Sequence, residues 1–542
     1  MKEIASSGSI ANTIGRGCIY VDKTRYIYEL VKHHERIFIS RPRRFGKTLT
    51  LDVIYTLFKQ GVEPYFKDTF IYDKWTFGTY PVLRINFLAF SLDDVAEFTR
   101  QLCDCLSDAA AALKLEQYRP DPAPNVCLRR LLDALEKQGR QLVILIDEYD
   151  CQLTANLNNP ELYEPFRLSL RSFYGALKDR GEIRFLAVTG VTRLKDVSVL
   201  SATSDIEDLT YESAYSELMG FTRAEIKHYY SDYLKLGISC QSGFAPEQIT
   251  DAQVDELLDR MSFHYDGFCF DEFCENHVYS TWSVNKFLAA IAAKGRTVFG
   301  DYWYVVGGLP SVLAGYLKTH TIDPVPLLEG TVKTPYEEFV NPSSLLLMPQ
   351  SVLMCQSGYL TLKSPLTPRP RYVRLGLANR EVTTALSSLL SLTFFTKDVD
   401  ELTGRGVAVL KKGNAEAIVT FLNELAAALP YDHYPVENES VLRGLYQFYF
   451  MGCLGDGVTA EQENYKGRSD IRLDVGERRV VLELKFSKDG SDAARLLEEG
   501  SRQILQNDYG RESLHGRKLI RLTAVFCGAR EERRFISWRQ VD

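Results

Sequence analysis

Apolar positions along the chain fall into two α/β patterns separated by a longer helical stretch. The first pattern opens with Ile37-Phe38-Ile39, an unbroken apolar strand, followed by a polar loop. Leu49, Leu51, Val53, Ile54, Leu57 and Phe58 then recur at helical spacing. Residues 81 to 87 and 142 to 146 predict two more strands, the latter apolar at every position, as in a strand buried on both faces of a parallel sheet. Residues 185 to 192 predict another, after a helical stretch near 166 to 177. From about residue 215 to 345 the spacing is mainly helical, with Thr222 and Glu225 placed as a capping box. The alternation Tyr359-Leu360-Thr361-Leu362 reads as the wing of a winged helix or as a packing element, and packing is favoured because basic residues are not concentrated there. Residues 364 to 371, with Pro365, Pro368 and Pro370, read as a surface loop or interdomain linker. Helices resume from Glu381 to Leu429. The second α/β pattern closes the chain with a helix from Glu439, strands over 471 to 475 and 480 to 485 about the turn Gly476-Glu477-Arg478, and an apolar strand over 518 to 527.

The polar loop after the first strand carries chemistry. It reads Ser40-Arg41-Pro42-Arg43-Arg44-Phe45-Gly46-Lys47-Thr48, in strand, loop, helix order. A helix N-terminus and successive backbone N–H groups at such a junction face a phosphate, so Arg44, Phe45, Gly46, Lys47 and Thr48 are expected at a nucleotide, with Lys47 on the outer phosphates and Thr48 on magnesium. The first glycine of GxxxxGK[ST] is replaced by Arg41. The strand over 142 to 146 ends in Asp147-Glu148, the pattern of a Walker B element: Asp147 is expected to hold magnesium and Glu148 to polarise the attacking water. A strand lying between the two Walker elements, here 81 to 87, is a feature of additional-strand ATPases. Thr189 and Thr192 are candidates for sensing the terminal phosphate, set against plain β-propensity.

In the second pattern the two-residue period of a strand puts Glu483 and Lys485 on one face, opposite Val480, Leu482 and Leu484, and beside Asp470 of Gly467-Arg468-Ser469-Asp470. Asp470 and Glu483 supply hard oxygen ligands for magnesium, and Lys485 is placed to orient a water, which suits phosphodiester hydrolysis. The competing reading is an exposed strand face with a cross-strand ion pair.

Together, Tyr20-Val21-Asp22-Lys23-Thr24, residues 41 to 48, Asp147-Glu148-Tyr149-Asp150, Thr189-Gly190-Val191, Tyr265-Asp266-Gly267-Phe268, Trp282-Ser283-Val284 and Ser357-Gly358-Tyr359-Leu360 resemble a bacterial and archaeal AAA-ATPase-like family that precedes PD-(D/E)XK nuclease domains. The resemblance covers most of the chain and makes Arg41 a family trait. It implies a P-loop NTPase of additional-strand, AAA-like type with a parallel sheet and helical lid, followed by an α/β restriction-endonuclease-like domain. It also implies that Glu439 adds a metal ligand from the first nuclease helix, and that Gln503 and Tyr509 match the glutamine and tyrosine of the next.

The length of 542 residues accommodates several domains, expected at 1–230 (ATPase), 231–375 (lid and connector), 376–430 (helical linker) and 431–542 (nuclease). A composition of 45 % hydrophobic and 25 % charged residues excludes disorder and low complexity. The net charge of −7 does not exclude nucleic acid, and from Arg511 onward eight Lys and Arg face four Asp and Glu, a rim suited to phosphate. No apolar run approaches the roughly 20 residues of a bilayer span, so a cytoplasmic protein away from membranes is expected. Eleven cysteines occur without CxxC pairs. Cys103 with Cys105 and Cys269 with Cys274 lack a second pair at ligand spacing, so all are expected reduced and metal-free. The expected function is an ATP-dependent or ATP-regulated, Mg2+-dependent nuclease acting on nucleic acid, DNA before RNA. The alternatives are a switch ATPase whose C-terminal domain binds without cleaving, and a plain DNA-binding ATPase. Homo-oligomerisation stays open, because Arg193 is an arginine finger candidate by position alone.

Overall fold

The computed structural model describes residues 1–5, 8–194, 206–303, 323–342, 345–394, 399–429, 435–454, 457–464 and 467–542. The chain divides into two compact units, Met1–Leu313 with Val332–Glu381, and Ala314–Thr331 with Val382–Asp542. The segment 1–230 falls in the first unit, as does 231–375 apart from 314–331, and 431–542 with nearly all of 376–430 falls in the second.

In the first unit, β1 (Arg36–Ser40), β2 (Val82–Asn86), β3 (Leu142–Asp147), β4 (Ile183–Gly190) and β5 (Glu207–Asp208) form a parallel sheet in the order β2-β3-β4-β1-β5. Every residue of β1 and β3 is buried, as expected of interior strands covered on both faces. The strand between the two Walker strands in space is β4, not β2, which lies between them only in sequence. Burial explains the difference: β2 alternates half-buried and buried residues and suits an edge, whereas β4 is buried at seven of eight positions. The registers Ser40↔Gly190 and Asn86↔Asp147 end the strands nearly level, so the loops after β1, β3 and β4 open at one carboxyl edge of the sheet.

Four helices cover the same unit: Arg223–Tyr229, Ser231–Ser242, Asp251–Tyr265 and Thr281–Lys294. The first opens on the expected capping box of Thr222 and Glu225. Ile226, Leu234, Leu258, Met261, Phe287 and Leu288 share one core, each such burial stabilising by roughly 1.5–3 kcal/mol. The start of the last helix is pinned by Glu381, whose carboxylate accepts the Ser283 hydroxyl at 2.6 Å and the Trp303 N–H at 2.7 Å. Burial pushes this carboxyl up to about 8, against those two hydrogen bonds and with Asp301 reinforcing the rise. A carboxyl raised in the folded state stabilises fully below its unfolded pKa and loses that contribution as pH rises through the folded value. The thermal midpoint of the wild type is therefore expected to fall between about pH 5 and pH 8.5 more steeply than that of Glu381→Gln, as scanning calorimetry across that range would register.

A hairpin of β6 (Phe268–Cys269) and β7 (His277–Val278) adjoins an antiparallel sheet of β8 (Val332–Pro335), β9 (Leu360–Leu362) and β10 (Tyr372–Leu377), ordered β8-β10-β9. All three residues of β9 are buried, and the Thr361 hydroxyl accepts the Cys269 N–H at 2.8 Å, so this strand packs inward as favoured from the sequence. Residues 364 to 371 join β9 to β10 within the first unit and do not link the two units.

In the second unit, β11 (Val458–Asn464), β12 (Gly467–Val475), β13 (Arg478–Ser487), β14 (Lys518–Cys527) and β15 (Arg534–Gln540) lie in sequence order. β13 and β14 are parallel and are connected through the helix Ala493–Asn507. The β12–β13 hairpin turns on Gly476-Glu477 alone, with Gly476 at φ 58, and Arg478, expected in the turn, already pairs with Val475. The β13 face carrying Glu483 and Lys485 is covered, not exposed: a Cβ on Gly500 of the Ala493–Asn507 helix would lie 2.6 Å from Thr523 and 3.4 Å from both Glu483 and Lys485. Among the described residues no helix is long and apolar enough to cross a membrane.

Candidate functional site

The loop between β1 and the helix Lys47–Gln60 takes its shape from two residues in the left-handed region, Arg44 at φ 75 and Gly46 at φ 95. Arg41, at the missing glycine, is 1 % exposed and points away from the loop opening. Its guanidinium donates to the carbonyls of Ser40, Thr210 and Tyr215 and lies 4.2 Å from the Phe270 ring centre, and burial pushes it down to about 10. Phe45, expected at the nucleotide, turns its ring into the core against Phe268 and Phe270, at centroid distances of 4.8 and 5.3 Å. Arg44 stacks on Trp282 at 4.2 Å, and its carbonyl accepts the Thr281 hydroxyl at 2.8 Å. Lys47 is buried at the helix start, and its ammonium donates to the carbonyls of Arg41 and Pro42 at 3.1 and 3.3 Å. Because Arg41 holds three carbonyls, Arg41→Gly is expected to cost roughly 3 kcal/mol or more of stability without strengthening nucleotide binding. Calorimetry paired with a nucleotide titration would check both parts.

At the neighbouring strand end the Asp147 carboxylate accepts the Thr48 hydroxyl at 2.8 Å and the Glu148 N–H at 3.1 Å. Burial raises the Asp147 carboxyl, with Glu148 adding to the rise. Glu148 stands at φ 52, its carboxylate 3.8 Å from the Lys47 ammonium. Asp150, which sequence reasoning did not single out, is buried and accepts from the N–H groups of Val191 and Thr192 and from the Thr192 hydroxyl. It ties the loop after β3 to the loop after β4 so closely that a Cβ on Gly190 would lie 2.4 Å from Tyr149. The hydroxyl of Thr192 is therefore committed to Asp150. Thr189 is buried, and its hydroxyl makes no hydrogen bond among the described residues. Arg193 donates to Asp208 at 2.7 Å inside its own unit and is 9 % exposed, a position unsuited to reaching a second subunit.

A cavity of about 730 Å3 opens over the loop. Gly46, Lys47, Thr48 and Glu148 line its floor, Tyr20 and Val21 one wall, and Trp282 and Asn285 of the Thr281–Lys294 helix another. A hydroxyl and a carboxylate side by side at a phosphate-binding turn are hard oxygen donors of the kind magnesium takes, and the volume accommodates a nucleotide.

In the second unit, three carboxylates surround one ammonium. Lys485 lies 3.2 Å from Glu439 and 3.2 Å from Glu483. Asp470 accepts the buried Leu484 N–H at 2.8 Å and lies 3.9 Å from Arg443, a neighbour that sequence reasoning missed. Burial pushes the Asp470 and Glu483 carboxyls up, and for Glu483 the proximity of Asp470 adds to it. Lys485 is raised by its acidic neighbours against the effect of burial. Among the described residues, one oxygen of Glu483 and the Thr523 hydroxyl are buried without a hydrogen-bond partner. Gln503 sits three residues beyond Gly500, hence on the same helix face, and its amide oxygen is likewise unpartnered. Three carboxyl groups stand against Lys485 and Arg443, and the orphaned Glu483 oxygen fits a hard cation. Tyr509 instead packs with Val481, Ile504 and Val541. The side chains of residues 459 to 469, including Arg468 and Ser469, lie outside the described part.

Residues 8–200 match the AAA-ATPase-like family, described as "Predicted AAA-ATPase". A protein of Azotobacter chroococcum mcd 1, described as an uncharacterized protein in the vnfD 5' region, is 29 % identical over 476 residues, 86 % of this chain and 85 % of its own length. Among solved structures, the Aeropyrum pernix ORC1 protein in complex with DNA has 10 % identity and a TM-score of 0.27, covering 67 % of this chain and 91 % of its own. Cdc6p from Pyrobaculum aerophilum has 12 % identity and a TM-score of 0.24, covering 68 % and 92 %. The N-terminal region thus matches an AAA-ATPase-like family and contains a five-stranded parallel sheet.

Proposed function

We propose that the chain hydrolyses ATP in its first unit and that the nucleotide state regulates a magnesium-dependent nuclease centre in the second. The ATPase half is supported by the family match and by the meeting of Lys47, Thr48 and Glu148 at one cavity, with the buried Asp147 bonded to the Thr48 hydroxyl. Lys47 would exchange its two loop carbonyls for phosphate oxygens, Thr48 and Asp147 would hold magnesium, and Glu148 would orient water. Thr189 is the candidate for reading the terminal phosphate, since its buried hydroxyl is uncommitted.

The observation that carries the nuclease half is the gathering of Glu439, Asp470, Glu483 and Lys485 from a helix and two strands, with one Glu483 oxygen buried and unpaired. Magnesium at such a site polarises a phosphate and lowers the pKa of a bound water. Glu439, Asp470 and Glu483 would hold the ion, Lys485 would orient the water, and Gln503 would hold the phosphate or the water from the helix side. The substrate class is nucleic acid, with DNA the first choice. The deciding experiment incubates the purified full chain with linear, circular and single-stranded DNA and RNA, with and without magnesium and ATP. Cleavage that needs magnesium and changes with ATP supports the reading. ATP hydrolysis without cleavage of any substrate supports a switch ATPase instead.

A further inference from the structure

The β6–β7 hairpin gathers a second set of ligand-type side chains within the first unit. Cys269 and His277 are paired directly across the hairpin, so both side chains leave from one face of the two-stranded ribbon. Between them the chain wraps around Asp271, which is fully buried and whose carboxylate accepts the N–H groups of Phe273, Glu275 and Asn276. This wrapping holds Cys274 at φ 59, a conformation that a residue with a Cβ adopts only when its surroundings impose it. The result is that the Cys269 and Cys274 sulfurs and a His277 ring nitrogen lie within 4.8 Å of one another.

We propose that Cys269, Cys274 and His277 bind one borderline divalent metal ion of the zinc class. Two sulfurs and an imidazole select zinc or its congeners over magnesium, whose preference is for oxygen. Tetrahedral bonds of about 2.0–2.3 Å place donor atoms roughly 3.5 Å apart, so small side-chain rotations close the set. Cys269 is buried, Cys274 half-buried and His277 exposed, which leaves the fourth position facing solvent. Sequence spacing concealed the site because Cys269 and Cys274 have no second CxxC pair. The third donor is a histidine that only the hairpin register places opposite Cys269.

The position gives the site a consequence. Cys269 lies between Phe268 and Phe270, the two rings that hold Phe45 of the phosphate loop. An ion closing the hairpin stiffens that aromatic clasp. The metal site itself is independent of the ATPase and nuclease readings.

The test uses the reduced full chain, stripped of metal and titrated with Co2+, whose thiolate charge-transfer absorption reports sulfur ligation. The wild type should take up one Co2+ with that band and exchange it for Zn2+. Cys274→Ser and His277→Ala should each weaken or abolish the band, while Cys240→Ser, at an exposed cysteine elsewhere, should keep it. His277 is exposed and its replacement should fold, which circular dichroism verifies. Absence of the band in the reduced wild type, or a band retained unchanged by both Cys274→Ser and His277→Ala, overturns the proposal.

Discussion

Replacing Asp470 with alanine is expected to lower magnesium-dependent cleavage by roughly a thousandfold or more, about 4 kcal/mol of transition-state stabilisation. Asp470 is 8 % exposed and shares its surroundings with Glu483 and Glu439, so its loss removes a hard ligand from a site that has few. It also leaves the Leu484 N–H buried without its acceptor, and Asp470→Asn, which keeps an oxygen there, separates that local cost from the loss of charge. Lys485→Ala should reduce cleavage by about a hundredfold to a thousandfold by a different route. The ammonium bridges Glu439 and Glu483, and without it the carboxylates repel one another more, so cation affinity is retained or increased while the water loses its orienting group. Magnesium titration therefore distinguishes the two: a weaker apparent affinity for the Asp470 variants, partly restored by excess manganese, and an undiminished affinity with a low maximal rate for Lys485→Ala. Equal cleavage by the wild type and all three variants would assign the activity to another site or another protein.

Several parts of this arrangement were legible in the sequence for identifiable reasons. β3 is apolar at five successive positions because both its faces are covered, and the first charge after that run is Asp147 at the sheet edge. The Glu483 and Lys485 pairing follows from the two-residue period alone. What the sequence left hidden depends on contacts between distant segments. Arg41 reads as a defect in a phosphate loop until the carbonyls of Thr210 and Tyr215, more than 160 residues away, appear around its guanidinium. Phe45 reads as a loop residue at the nucleotide, yet its ring is taken up by Phe268 and Phe270. Arg193 reads as an arginine finger candidate by position until Asp208 is brought to it by the short pairing of β5 with β1. Gly500 carried no signal at all, because its importance is the absence of a Cβ where the helix crosses Glu483 and Thr523. Sheet order is hidden for a related reason: sequence order does not encode it, and only the alternating burial of β2 marks it as an edge strand.

The two ATPase variants should fail in opposite ways. Lys47→Ala is expected to abolish nucleotide binding along with hydrolysis, because the ammonium is the buried cation at the start of the helix, whereas Arg41 is turned into the core and Arg44 is stacked on Trp282. Glu148→Gln should keep nucleotide, since Thr48 and Asp147 remain joined at 2.8 Å and the loop keeps its shape, but hydrolysis should drop by at least about a hundredfold as the group that polarises water becomes neutral. The positive φ of Glu148 belongs to the backbone turn after β3, and glutamine occupies it with the same strain, so folding should be little changed. Equilibrium binding of a fluorescent ATP analogue, run beside a phosphate-release assay, reads both expectations. The pattern is informative because the carboxylate of Glu148 lies 3.8 Å from the Lys47 ammonium: removing its charge takes an attraction away from Lys47 and leaves the ammonium freer to turn to a phosphate, so affinity should hold or rise. An affinity lost in Glu148→Gln as completely as in Lys47→Ala would mean that Glu148 holds the nucleotide itself, and the water-polarising role would pass to another residue.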